Sequence, residues 1–487
     1  MQYKGLVFLS LVFFTIPALG HQNEPKPVDC TELMGWMVGG VSSQRLNRLV
    51  QDRGLAFSIN DDAAKVLLTA GAGPGLIQSL RATHPSIAAA TGASCPVLLA
   101  QAGEAIHERR YQEAERILQK LVTANPRNPV LHFALGYVRQ QQEDWDEAFD
   151  EYSNARDLMP GSPEIHCRLA YVFYRSDNGD DAIAEARTAL SIDPQNAEAY
   201  RYLGLGLYAN HRYSAALHAF QESLAREPNT AEVYYDMGIT LRDKGDREAA
   251  ATAYRKAIGL NPQFWEAHSN LGMLLHDLQK FDEAIAEYRE AKRLAPDEAA
   301  IRNNLGNTYC DKGDYDAALA EFRELFRMNP GWQQGHSCAA KALMAKREYE
   351  SAISELRLAL LQNPNGAVEH RVLGQALLLV HRRQEALREL RTAIALDPDS
   401  PLAHHYLATA LFDIQDFEAA VTEFRQAVRL QPTAGNHYFL AACLMSMGRY
   451  DDALAELETA ARLEPGQSLY SARKKELLKL MKATNTH

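Results

Sequence analysis

The sequence predicts an all-α solenoid of about eleven helix-turn-helix repeats with a C-terminal capping helix, and three regularities carry that prediction. Pro126, Pro160, Pro194, Pro228, Pro262, Pro296, Pro330, Pro364, Pro398 and Pro432 fall 34 residues apart at every step. Counting repeats from residues 129, 163, 197 and so on, glycine stands at position 8 as Gly136, Gly204, Gly238, Gly272, Gly306 and Gly374. Alanine stands at position 20 as Ala114, Ala148, Ala182, Ala216, Ala250, Ala284, Ala318, Ala352, Ala386, Ala420 and Ala453, followed four residues later by a ring such as Tyr152, Phe220, Tyr254, Tyr288, Phe322 or Phe424.

These letters are packing constraints. Small residues at positions 8 and 20 let two antiparallel helices approach closely, and the large side chains at positions 7 and 24 fill the space beside the contact. Each proline then stops the second helix, because it has no N–H to donate and disfavours a helical residue before it. The stretch DKGDYDAALAEFREL at 311–325 shows the unit, with Gly313 in the turn and Ala318, Leu319, Phe322 and Leu325 on one helical face.

Taken in order, the chain begins with Lys4, an apolar run from Leu6 to Ile16, and then Pro17, Ala18, Leu19 and Gly20. A run this short does not span a bilayer, which takes roughly 20 apolar residues. With small residues at Ala18 and Gly20, residues 1–20 read as a cleaved secretory signal, and the mature chain is expected to be exported, periplasmic or secreted.

Residues 21–94 read as a small helical N-terminal module. Helices are expected over Thr31–Met37, Ser43–Arg53, Asp61–Ala70 and Pro74–Thr83, separated by Gly39-Gly40, Gly54 and Gly71-Ala72-Gly73. The glycine run ending at Gly75 is followed by Leu76 and Ile77, where a phosphate-binding P-loop needs Lys and Ser or Thr. His107-Glu108 is followed by Tyr111 where a zincin needs its second histidine, so no metal pair forms there. No G-x-S-x-G motif occurs, and no Cys/His pair reads as catalytic.

From Cys95 to about Gly466 the repeat pattern resembles the tetratricopeptide repeat (TPR) family, which implies a right-handed superhelix occupying residues 95–467. Two departures sit near the ends: Gln101 and Ala102 stand at positions 7 and 8 of repeat 1, and Pro432 to Pro465 is one residue short. Capping repeats are expected to be atypical. In the last segment, 468–487, SLYSARKKELLKLMK reads as an amphipathic helix with Leu477, Leu478 and Met481 on the side that covers the open end.

A formal charge of -11 argues against a nucleic-acid binder. In an exported chain Cys30 and Cys95 bracket the module and are candidates for a disulfide, the alternative being two separate thiols. Cys167, Cys310, Cys338 and Cys443, inside first helices, read as packing residues.

The resemblance also implies where partners bind, since first-helix positions 2, 5, 9, 12 and 13 line the concave groove of TPR proteins. Mapped here, repeats 2–5 supply Phe133, Tyr137, Tyr171, Tyr174, Arg201, Tyr208, Tyr235 and Arg242, and repeats 6 and 7 supply Asn270, Asn303, Asn304 and Asn307. Aromatic rings and arginines suit binding hot spots, and asparagine amides suit the main chain of an extended peptide. The alternative for the tyrosines is packing between repeats. Position 4 is histidine at His132, His166, His268, His336, His370, His404 and His437; pH sensing and metal binding are weighed there against a semi-polar packing role. Glu287 and Glu321 on second helices are expected to face outward.

The function these readings favour is a non-enzymatic scaffold or adaptor outside the cytoplasm, taking a protein or extended peptide in its groove, with no cofactor, no metal, no nucleic acid and no membrane span in the mature chain. The alternative is a ligand-binding or enzymatic function in residues 21–94, with the array as a recruiting arm.

Overall fold

A computed structural model describes residues 26–83, 95–332 and 334–484; the expected signal segment lies outside them. The fold is all-α, and the described residues form 27 helices. They divide into two compact units between Lys244 and Gly245.

The module contributes α1 (Cys30–Val38), α2 (Ser43–Arg53), α3 (Asp61–Thr69) and α4 (Pro74–Ala82). Their starts follow local capping chemistry: Asp29, Ser42 and Asn60 each accept a backbone N–H from three residues on, and Pro74 occupies the first turn of α4. The Cys30 and Cys95 sulfurs are bonded, with Cα atoms 5.3 Å apart, which ties α1 to the entrance of repeat 1.

The repeats of the first unit run from Val97–His107 and Tyr111–Ala124 to Ala197–Ala209 and Tyr213–Arg226, followed by Ala231–Lys244, the first helix of repeat 5. Those of the second unit run from Arg247–Leu260 to Ala434–Ser446 and Tyr450–Leu463, and then Ser468–Thr484. Between the two helices of a repeat one residue takes a left-handed backbone: Gly313 and Gly448 do so at no steric cost, whereas Glu143, Asp177, Gln279 and His381 carry side chains there.

The close approach inferred from the small residues is real. A Cβ on Gly204 would lie 2.5 Å from Phe220 Cε1, so no side chain fits between the helices. Every position-20 alanine from Ala114 to Ala453 is buried. Replacing the fully buried Ala284 with leucine is expected to overpack its contact and cost roughly 1 to 3 kcal/mol. Because repeats touch chiefly their neighbours, hydrogen exchange should accelerate most in repeat 6 and the repeats beside it; uniform acceleration would contradict that.

The position-4 histidines form a repeated clamp. Nδ1 of His132, His268, His336, His370 and His404 lies 2.6 Å from a carboxylate oxygen of Glu151, Glu287, Glu355, Glu389 and Glu423 respectively. His166 and His437 reach Glu185 and Glu456 at 2.5 Å. On the other side of the ring, Nε2 of His132, His166, His370 and His404 lies 2.9 to 3.1 Å from the carbonyl of the proline six residues earlier. A carboxylate and a carbonyl can only accept, so at His132 and His166, whose pKa values are raised, both bonds are made at once by the imidazolium form. In repeat 7 Arg302 takes the same place, reaching Glu321 and the Pro296 carbonyl at 3.4 Å each. Glu287 and Glu321 are therefore inward clamp residues, against the expectation from sequence, because second-helix position 23 faces first-helix position 4.

The clamp makes repeats 2 and 3 sensitive to pH. The bond from Glu151 raises the His132 pKa; at His166 burial acts downward, but the bonds to Glu185 and the Pro160 carbonyl outweigh it and the net shift is upward. A raised folded pKa stabilises fully below the unfolded value of about 6.5 and is lost as pH climbs through the folded value. Hydrogen-exchange protection in residues 129–192 should therefore fall as pH is raised past neutrality, after correction for intrinsic exchange, and Glu185→Gln should flatten that fall.

The final helix buries Leu477 completely and packs Tyr470 against Tyr438, ring centroids 5.5 Å apart. Leu478 points outward, 37 % exposed, so the covering face is Tyr470, Leu477 and Met481 rather than Leu477, Leu478 and Met481.

Candidate functional site

The module sits on the first helices of repeats 2 and 3, on the positions assigned from sequence to the groove. Its glycines make the seat: Cβ atoms on Gly35 and Gly39 would lie 2.6 Å from Val130 and 2.3 Å from the Phe133 ring, and Gly40 would meet Tyr137 at 2.6 Å. Apolar contact is continuous across this seam, since Trp36, Leu33 and Met34 share one buried core with Phe133, Leu135 and Tyr152.

Charge fixes the docking. Arg45 of α2 donates to Glu164 at 2.7 Å and also to Asp193. Arg48 donates to the Gln195 carbonyl at 3.3 Å. From the array side, buried Arg168 donates to the Gly40 carbonyl at 2.8 Å and to the Tyr202 hydroxyl at 3.0 Å, with Glu198 at 3.3 Å. Gly71 packs against His107, so the glycine run and the incomplete zincin motif both serve this docking region.

Phe133 is thus a core residue. It is fully buried between Trp36, at 4.7 Å between ring centroids, and Tyr152, at 5.5 Å. Tyr137 is half-buried beneath Gly40 and the Arg168 guanidinium. Sequence reasoning placed both in an open groove because nothing local reveals that another part of the chain fills it.

Beyond the module, Tyr171 and Tyr174 lie 6.3 Å apart by centroid, and both, with Tyr208, pack as half-buried rings against the core of repeats 3 and 4. Tyr171 also contacts Tyr202 and Trp145, so part of its role is packing. The Tyr208 hydroxyl donates to Asp243 at 2.6 Å, and Arg242 also pairs with Asp243, at 2.7 Å. Arg201 donates to buried Asp236 at 2.6 Å, which commits it within the array rather than to a partner's carboxylate. Tyr235 is half-buried on the same helix as Asp236. A polar cavity of about 520 Å³ remains among Arg45, Tyr137, Arg168, Glu198, Arg201 and Glu232.

In the second unit the asparagines separate. Asn270 and Asn304 are half-buried at position 6, one place off the groove positions. Asn303 is 95 % buried by its 5 % exposure and lies inside the packing rather than open in a groove. Its amide donates to Asn304 at 3.4 Å, while the side-chain oxygens of Asn303 and Asn307, one helical turn apart, have no hydrogen-bond partner.

An apolar opening was missed from sequence. A groove of about 640 Å³ runs between the first helices of repeats 8 (His336–Ala345) and 9 (Ala367–Leu379). Its walls are Met344, Val368, Val372 and Leu379, with Lys341 and Arg371 among its polar residues. Val368 and Leu379 are 59 % and 46 % exposed and stand on the same side of one helix, facing this opening. The signal was present: Ser337, Lys341 and Met344 stand at positions 5, 9 and 12 of repeat 8, and Val368, Arg371 and Leu379 at positions 2, 5 and 13 of repeat 9.

Among the described residues no group of three or more His, Cys, Asp or Glu side chains is arranged to hold a metal ion, and no helix is long and apolar enough to cross a membrane.

Tetratricopeptide repeat models match residues 99–163 and 235–299, 139–204, and 299–329. The model for anaphase-promoting complex, cyclosome, subunit 3 matches residues 385–460. No curated protein matches the sequence. Solved structures similar to the chain include the APC/C hetero-tetramer Cut9-Hcn1, at 16% identity over 79% of this chain and 90% of that one, TM-score 0.38. Yeast Tom70 is similar at 15% identity over 80% and 95%, TM-score 0.32, and Pseudomonas aeruginosa PilF at 21% over 45% and 97%, TM-score 0.37. The 34-residue period, the paired helices packed through Gly and Ala, and the matching repeat models together make this chain a member of the tetratricopeptide repeat family.

Proposed function

We propose that the protein is a non-enzymatic scaffold, exported from the cytoplasm, that captures an extended segment of a partner protein on the first helices of its repeats. TPR proteins in general are protein-interaction scaffolds, and the observation that carries the finer reading is the groove of repeats 8 and 9. Exposed Val368 and Leu379 offer apolar seats, and Arg347 and Arg371 beside them favour acidic residues flanking the apolar ones in the partner, while Lys341 is paired with Asp311 and Glu369 also lines the groove. The unpartnered side-chain oxygen of half-buried Asn307 in the preceding repeat supports a peptide, whose main-chain N–H groups are what such an amide acceptor lacks.

Export is supported by the signal-like segment and by the Cys30–Cys95 disulfide, a bond that suits an oxidising compartment. N-terminal sequencing of the native protein is expected to start at or near His21; an intact Met1 would contradict export by this route. Capture is tested by placing a photo-crosslinking amino acid in the full-length precursor. At Val368 it should join the partner, whereas at Glu324 on a second helix, its side chain 39 % exposed, it should not; crosslinking at Glu324 alone would move the site to the other face.

A further inference from the structure

We propose that Cys310 and Cys338 form a thiol–disulfide exchange site opening on the groove of repeats 8 and 9. Cys310 lies in the last turn of Ala299–Lys312 and Cys338 in the first turn of His336–Ala345, two helices that pack against each other. The Cys310 thiol donates to the Cys338 backbone carbonyl at 3.5 Å, which sets the two cysteines side by side across the helix contact.

The two sulfurs differ in access. Cys310 is 1 % exposed, whereas Cys338 is half-buried and lines the 640 Å³ groove beside Lys341. Its neighbour Cys310 draws the Cys338 thiol below the usual range against the opposing effects of burial and Asp311, with Lys341 also acting downward, and Cys310 keeps its proton. Low pKa and access define an attacking thiol, and a sheltered neighbour defines a resolving one. The remaining thiols have neither property. Cys167 and Cys443 are fully buried, and burial pushes the Cys443 thiol up to about 12.

The reaction needs a disulfide as oxidant. The Cys338 thiolate attacks one sulfur of the incoming disulfide; that S–S bond breaks, a mixed disulfide forms, and the expelled thiolate takes up the proton Cys338 gave to solvent. Cys310 loses its proton and attacks the Cys338 sulfur, expelling the second thiol. Two protein thiols become one disulfide, and the incoming disulfide is reduced to two thiols. The bond links the first helices of repeats 7 and 8 behind the groove, so the oxidation state sets how far those two helices can part.

The test uses full-length protein and oxidised glutathione, followed by alkylation and peptide mass spectrometry. Wild type should yield a Cys310–Cys338 disulfide while Cys167 and Cys443 stay reduced. Cys310→Ser should trap one glutathione on Cys338, and Cys338→Ser should leave Cys310 unmodified. If Cys310→Ser loses the wild-type circular dichroism, Cys310→Ala, which keeps that buried site apolar, is read in its place. No disulfide in wild type, no adduct in a folded Cys310 variant, or modification of Cys310 at the wild-type rate in Cys338→Ser overturns the proposal. The readout is sulfur chemistry alone, so it stands or falls separately from partner capture.

Discussion

Gly35→Val combined with Gly39→Val is expected to lift the N-terminal module off repeats 2 and 3 and to destabilise the first unit by at least about 3 kcal/mol. The added Cβ atoms would lie 2.6 Å from Val130 and 2.3 Å from the Phe133 ring, and that ring cannot swing aside because Trp36 and Tyr152 pack on it. Shifting α1 would separate Arg168 from the Gly40 carbonyl and Arg45 from Glu164, and a buried charge that loses a partner is costly. The Cys30–Cys95 bond keeps the module tethered, so it should detach without leaving. Urea unfolding and Trp36 fluorescence report the change. Gly75→Ala, where no atom lies within 4 Å of the new methyl, should stay within about 0.5 kcal/mol of wild type. A double variant as stable as the control would mean that the glycine seat does not hold the module.

Val368→Glu combined with Leu379→Glu is expected to weaken partner capture by about tenfold or more. Removing an apolar anchor typically forfeits about 2 kcal/mol, and 1.4 kcal/mol is one decade of affinity. Both side chains are largely exposed in the absence of a partner, at 59 % and 46 %, so the melting temperature should stay near wild type. Glu324→Ala is the matching control, because its pair with Arg327 is solvent-exposed and worth little. Tyr174→Ala with Tyr208→Ala tests the aromatic face of repeats 3 and 4. Those rings also pack against the repeat core, so a loss of capture counts there only where the circular dichroism and melt are unchanged.

Much of the fold was legible because it is written locally and eleven times over. Proline placement, position-20 alanines and position-8 glycines each encode a contact within one repeat, so the helix pairs follow from sequence spacing. The same local logic located the module's helices from the breaks at Gly39-Gly40, Gly54 and Gly71-Ala72-Gly73. What stayed hidden depends on which surfaces meet. Arg45 and Glu164 are 119 residues apart and carry no shared pattern, so the module's seat, and with it the burial of Phe133, had no local signature. The clamp was half visible: the histidines stood out, but Glu287, 19 residues after His268, read as an outward charge until the two helices were packed. The groove of repeats 8 and 9 was missed because aromatic residues drew attention to repeats 2–5, whereas exposed aliphatic side chains mark it.

Hydrogen exchange on the mature chain, alone and bound to its partner, tests most directly the claim that the module fills the groove at repeats 2 and 3 and leaves that of repeats 8 and 9 to partners. The account predicts that residues 129–141 are already protected in the chain alone and change little on binding, while residues 336–345 and 367–379 gain protection. New protection confined to 129–141, with 367–379 unchanged, would contradict it.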